Sequence, residues 1–175
     1  MKNRILGLKR RLAGMLLDHI IMSFAFVPVL IVISLIFGTG EPMNISVMER
    51  LSFLALFFFY FNKDYFGARS LAKRSLGLVV ISNKTNEKAI ELQCFLRNIT
   101  IPLWPLEVLV TLFSRSRRMG DLIANTRVEA YDKTSMASLV DDIKSYKLNP
   151  VSMVTIGTGI VYSVFLWLLL GTLSG

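Results

Sequence analysis

The stretch RRLAGMLLDHIIMSFAF, residues 10–26, places Arg11, Asp18 and the chain's one histidine, His19, at the head of a long apolar run. Arg11, Gly14 and Asp18 are spaced i, i+3 and i+7, one stripe of a helix. Arg97, Glu107 and Asp121 are further charged residues in or beside apolar segments. A carboxylate in such a setting can pair with a base, carry a proton, or bind a hydrated cation. A charged carboxylate deep in lipid costs at least about 2.5 kcal/mol, so Asp18 must face protein or water. Along a straight helix Arg11 and Asp18 are about 10 Å apart, so each needs its own partner. Arg97 is the expected partner of Asp18, because its segment enters from the same side. Arg11 sits at the interface, where its long side chain can snorkel to phosphates. Asp121 is expected to cap the turn at Leu122 through backbone N–H groups or to pair with Arg11. Glu107 follows Pro105 and is expected as a neutral acid or as a partner of Arg97. His19 is about 100° round the helix from Asp18, which favours packing over a proton relay. For the whole set, structural pairing and an ion or substrate path are both open.

The elements that must position these groups are apolar. The 175 residues are 53% hydrophobic and include twelve Phe and eight Met; mean hydropathy is +0.55, above that of an ordinary soluble domain. Four segments stand out, at residues 12–37, 51–66, 95–113 and 151–173. About 20 apolar residues span a bilayer. The first and last meet that length, and the second needs Val47 and Met48 to help. The N-terminal stretch resembles a signal peptide, but its apolar run is too long for one, so it is expected to stay as the first helix. The third segment carries Pro102 and Pro105, which remove two backbone donors and break a helix. Broken backbone at membrane depth is tolerated where protein or water covers it. The fold expected is therefore an all-α integral membrane protein of three spanning helices plus a proline-broken, re-entrant helical segment. A small cytoplasmic hairpin completes it, from residues 77–81 and 88–92, with residues 125–132 as a possible third strand.

The net charge is +8. In a membrane protein such an excess belongs to cytoplasmic loops rather than to nucleic-acid binding. Five basic residues lie in 1–11, five in 67–93 and seven in 114–150, against Arg50 alone in the loop after the first span. This places the N-terminus and both later loops inside. A re-entrant third segment is what lets two successive basic loops share a side. Lys63 and Asp64 are expected as interfacial anchors, and Asp141 and Asp142 in a solvated linker. Trp104 and Trp167 are open between interfacial belts and helix packing. The lone Cys94 excludes an internal disulfide and a cysteine metal cluster.

Two blocks of this pattern resemble the RDD family of small bacterial membrane proteins. That family has an R-x-x-A-x-x-x-D start to its first helix and an R-x-G/H-D-x-x-A-x-T-x-V segment late in the domain. Here the first is Arg11-x-x-Gly14-x-x-x-Asp18, with glycine where alanine is usual, and the second runs from Arg118 through Gly120, Asp121, Ala124 and Thr126 to Val128. KRSLGLVVIS at 73–82 and FLRN at 95–98 are similar to other family blocks. The resemblance covers about residues 8–131. It implies an RDD-like membrane domain at 1–131, a cytoplasmic linker at 132–150 and an additional transmembrane helix at 151–175. It implies a bacterial inner-membrane location, and Arg11, Asp18 and Asp121 as the charged residues of the motif.

No nucleotide loop, metal-ligand spacing or nucleophile triad stands in the sequence, so neither an enzyme nor a cofactor is expected. Two functions are in view. One is a non-catalytic subunit of a membrane complex, with lipid and other membrane subunits or further copies of itself as partners. The other, implied by the resemblance, is a secondary transporter, with cation/proton antiport as its form and an oligomer to enclose the path.

Overall fold

The computed structural model describes residues 8–37, 47–114 and 117–173. The loop 38–46, expected on the outer side, and the basic residues Lys2, Arg4 and Arg115 lie outside them. The chain is mostly helical, with one two-stranded antiparallel sheet. Among the described residues two helices are long and apolar enough to cross a membrane: α1, Leu8–Phe37, and α8, Pro150–Leu173. Helix α2, Val47–Phe61, is apolar but shorter at 15 residues.

Helix α1 carries a wide apolar surface, with Phe24 and Leu35 about 80% exposed. Its one polar stripe turns inward: Gly14 and Asp18 are buried and Arg11 half-buried. The short helix α3, Leu71–Leu76, is bounded by its own sequence. Ser70 caps its start by accepting from the Lys73 N–H, and Gly77 ends it in the left-handed region at φ 62°. Strand β1, Leu78–Ser82, follows at once and is buried along its whole length.

The sheet bears out the expected late strand and shortens the expected hairpin. Strand β1 pairs with β2, Thr126–Ala130, in the register Val80 opposite Val128. The segment after the 83–86 turn closes a short hairpin on β1, with Lys88 opposite Ile81, the Ser82 N–H donating to the Glu87 carbonyl and the Ala89 N–H to the Val80 carbonyl. It then starts helix α4, Glu91–Asn98. The favoured partner of the β-branched run is the late strand, because Val128 and Leu78 form a shared apolar cluster.

Between the two strands the chain runs out and returns. Helix α4 is followed by a 3-10 turn, Ile101–Leu103, and by α5, Trp104–Ser114. The two limbs are bent by 108° around the prolines. Helix α6, Met119–Ile123, then packs back on α4 and delivers β2 to β1. Because β1 and β2 are hydrogen-bonded neighbours, the chain before α4 and after α5 lies on one side of this excursion.

Residues 132–150 are tied down, which corrects the expectation that Asp141 and Asp142 are both solvated. They contain helix α7, Ser138–Ser145, and Asp142 meets the buried Arg74 at 2.6 Å while keeping 42% of its side chain exposed. Helix α8 then packs on α2 and α4 through Ser152, Thr155 and Gly159, while Gly157 faces outward. Ser152 and Thr155 are fully buried, Tyr162 packs edge-on against Phe61 and Phe95, and Gly159 lies under Phe58.

A buried charge network as the candidate functional site

Each ionisable residue of the site is placed by a short element. Asp18 sits on the inward stripe of α1. Lys63 and Asp64 follow the end of α2, Lys73 is on α3, and Arg97 and Asn98 end α4. Glu107 is in α5, while Arg118 and Asp121 open α6. All converge between α1, α3 and the α4–α6 return.

The contacts form one chain. Asp18 Oδ2 receives the Lys73 ammonium at 2.8 Å and the Lys63 ammonium at 3.4 Å. Lys73 also donates to Asp64 Oδ1 at 2.8 Å. Asp64 accepts from Asn98 Nδ2 at 3.3 Å and lies 3.7 Å from Arg97 Nη1. Arg97 Nη2 reaches Asp121 Oδ1 at 2.8 Å. Asp121 also accepts from the Arg118 backbone N–H and from Thr126 Oγ1. Arg118 donates to Asn98 Oδ1 at 2.7 Å and meets Glu107 Oε2 at 3.4 Å. Glu107 is completed by Thr100 Oγ1 and the Gly120 N–H. Four carboxylates are thus set against four basic groups, each with a side chain no more than 7% exposed. Buried charges are tolerated only when paired and hydrogen-bonded, and this arrangement meets that demand from several elements at once.

Three expected pairings are corrected. Asp18 pairs with Lys63 and Lys73, not Arg97, because α3 brings Lys73 directly against α1 while Arg97 lies one carboxylate farther on. Glu107 pairs with Arg118 rather than Arg97 and is fully buried. Asp121 pairs with Arg97, not Arg11; as for capping, it receives the N–H of Arg118, just before α6, rather than those of the Leu122 turn. Lys63 and Asp64 are not interfacial anchors but members of the centre. His19 does pack: its Nδ1 is 3.0 Å from the Tyr60 hydroxyl.

Burial pushes Lys63 down to about 8, against the pull of Asp18. For Asp64 burial acts upward, but Lys73 and Arg97 outweigh it and hold the carboxyl well below its ordinary value. Glu107 and Asp121 raise Arg118 against the downward effect of its burial.

Arg11 and its neighbour act on backbone. Arg11 Nη2 donates to the Val128 carbonyl at 2.8 Å, tying α1 to β2. Arg10 Nε donates to the Leu76 carbonyl at 3.1 Å, where the last carbonyls of α3 favour a cation. Two glycines of the motif differ in need. A β-carbon on Gly120 would lie 1.9 Å from the Arg97 carbonyl oxygen, so only glycine allows α6 to sit on α4 there. A β-carbon on Gly14 would meet the flexible ends of Leu78, at 3.2 Å, and Leu76, at 3.7 Å.

A cavity of about 30 Å³ opens beside the network, between α1 and β2; Arg11, Asp18, Lys73, Arg97, Arg118 and Asp121 are among the residues that line it. Among the described residues no three His, Cys, Asp or Glu side chains converge as a metal site. Lys63, Lys73, Asp64, Asn98 and Arg118 are the members that reading along the chain did not single out as a site. Their signal was weak: Lys73 and Arg118 stood inside the motif blocks, and Lys63-Asp64 ended an apolar run. No family model, curated protein or solved structure matches this chain.

Proposed function

We propose that this chain is a non-catalytic component of a bacterial inner-membrane assembly, built on an RDD-type domain. Helices α1, α2 and α8 cross the bilayer, and the α4–α5 excursion is re-entrant. The N-terminus and the β1–β2 sheet face the cytoplasm, in line with the basic residues of both neighbouring loops. The observation that carries the reading is the closure of the charge network. Asp18, the carboxylate within α1, is held by two lysines, and its nearer lysine is shared with a second carboxylate. Such an arrangement clamps α1, α3 and the α4–α6 return into one body. It leaves the apolar faces of α1 and α8 for lipid and for partner helices.

One observation favours the second reading, cation/proton antiport. Lys63, lowered to about 8, gives up its proton well below the ordinary lysine value and stands directly beside Asp18. Against it, Lys73 holds the same Asp18 oxygen more closely, so release of Lys63 does not free the carboxylate for a cation.

Particle mass in mild detergent and dye-reported proton movement in reconstituted vesicles separate the two. The expected result is a particle larger than one chain, with a second component or a second copy in fixed ratio, and no cation-dependent proton movement. A cation-dependent proton flux that Asp18→Asn abolishes without unfolding the protein would overturn the subunit reading in favour of transport.

A further inference from the structure

We propose that the cavity beside Arg11, Arg97 and Arg118 is a binding site for one small monovalent anion of the halide class. Charge is the first ground. Asp18, Asp64, Glu107 and Asp121 are matched by Lys63, Lys73, Arg97 and Arg118. Arg11 also lines the cavity, and its hydrogen bond goes to a backbone carbonyl, not to a carboxylate. One positive charge is therefore in excess, on half-buried Arg11 beside the fully buried network, and an anion in the cavity would neutralise it.

Hydrogen bonding is the second ground. Arg11 Nε and Arg97 Nε are buried donors with no hydrogen-bond acceptor in the protein, and Arg97 Nη1 and Arg118 Nε have carboxylate oxygens only at 3.7 Å, beyond hydrogen-bond reach. Arg97 and Arg118 are more than nine-tenths buried, and both line the same cavity as Arg11. Buried guanidinium N–H groups left without an acceptor are costly. Under-satisfied donors on three arginines that line one cavity favour an anion over a cation. Two carboxylates also line the cavity, Asp18 and Asp121, but both are taken up by Lys63, Lys73, Arg97 and Arg118.

Size is the third ground. About 30 Å³ holds roughly two water molecules. That suits one halide better than a tetrahedral oxyanion with its own hydrogen-bonding shell. The site is independent of the subunit reading, since a transporter would have the same cavity.

The test uses the full chain in detergent at fixed ionic strength, with gluconate replaced stepwise by chloride. The expected result is a saturable rise in the unfolding midpoint that sulfate does not reproduce. A crystal grown or soaked in bromide should show an anomalous peak between Arg11, Arg97 and Arg118. Arg11→Gln should weaken the halide response at least about tenfold, because it removes a full charge within a few ångströms, whereas Arg11→Lys should keep most of it. No saturable shift in the wild type, an equal shift with sulfate, an undiminished response in Arg11→Gln, or no bromide peak in the cavity would overturn the assignment. Should Arg11→Gln fail to fold, the wild-type halide series and the bromide peak decide the matter alone.

Discussion

Arg97 and Asp121 meet at 2.8 Å between helices α4 and α6, both more than nine-tenths buried, and the residue beside Asp121 has no side chain because the Arg97 carbonyl fills its place. The ion pair and the glycine are one device. The pair fixes the orientation of α6, and the glycine allows the close approach the pair requires.

Gly120→Ala therefore should not be tolerated. A β-carbon 1.9 Å from a backbone oxygen cannot be accommodated by a side-chain shift. The expected loss is about 4 kcal/mol or more, or failure to fold, read as the detergent unfolding midpoint. Gly14→Ala is the control, expected within about 1 kcal/mol of wild type because only the Leu78 side-chain end must yield. Equal stabilities of the two variants would contradict the packing described.

Breaking the α1 clamp should be costly. Asp18→Asn and Lys73→Met are each expected to destabilise by about 3–5 kcal/mol, since each leaves a buried partner uncompensated. The double variant should cost at least about 1 kcal/mol less than their sum. Arg97→Gln combined with Asp18→Asn should couple more weakly, because Arg97 is held by Asp64 and Asp121. A larger coupling of Asp18 to Arg97 than to Lys73 would reverse the assignment of partners.

Stability should vary with pH in two windows. The Asp64 carboxyl is held below its unfolded value, so its contribution is present above about pH 4 and is lost as pH falls through the folded value. Lys63 is lowered from 10.5 to about 8. Between those values the unfolded chain binds the extra proton, so Lys63's contribution to stability rises with pH there. Melting curves across pH, compared with those of Asp64→Asn and Lys63→Met, should lose the acid and the alkaline limb respectively. A wild-type profile that Lys63→Met leaves unchanged above pH 8 would remove Lys63 from the network.

Orientation can be read by labelling. Thr85 and Ser135 are exposed on either side of the α4–α5 excursion, and Cys94 is buried. Single cysteines at both positions should resist a membrane-impermeant thiol reagent in whole cells and react in inverted vesicles. Labelling of one but not the other in whole cells would mean that α4–α5 crosses fully.

Removal of α8 tests how far it belongs to the core. Ending the chain after Ala137 strips α7 and α8 from Arg74, Phe61 and Phe95. The shortened chain should unfold at a lower temperature than the full chain. An unchanged midpoint would make α8 an appendage.

Much of the architecture was legible in one dimension. Apolar runs at the two ends sufficed to mark α1 and α8, since length and hydropathy are local properties. Pro102 and Pro105 announced the bend, because a missing N–H acts on its own helix whatever surrounds it. The i, i+3, i+7 stripe gave the inward face of α1. Helix α3 was not foreseen: Gly77, expected to open a strand, instead closes that helix. The turn at 83–86 and the late strand were both legible, but alternation shows that a strand wants a partner, not how far each pairing runs. Val128 packs with Leu78, while Ala89 after the turn joins Val79, Val80 and Ile81.

By itself the sequence determined that Asp18, Arg97, Glu107 and Asp121 needed partners, because the cost of burying a charge follows from its chemistry and its apolar neighbours. Only the tertiary structure decided who the partners are. Lys63, Lys73 and Arg118 are brought in by turns whose geometry no spacing encodes, and a salt bridge depends on ångström distances between elements far apart along the chain. The same holds for Gly120. Its identity is plain in the sequence, but the reason for it, a carbonyl of another helix in the space of a β-carbon, exists only once α6 has folded back onto α4.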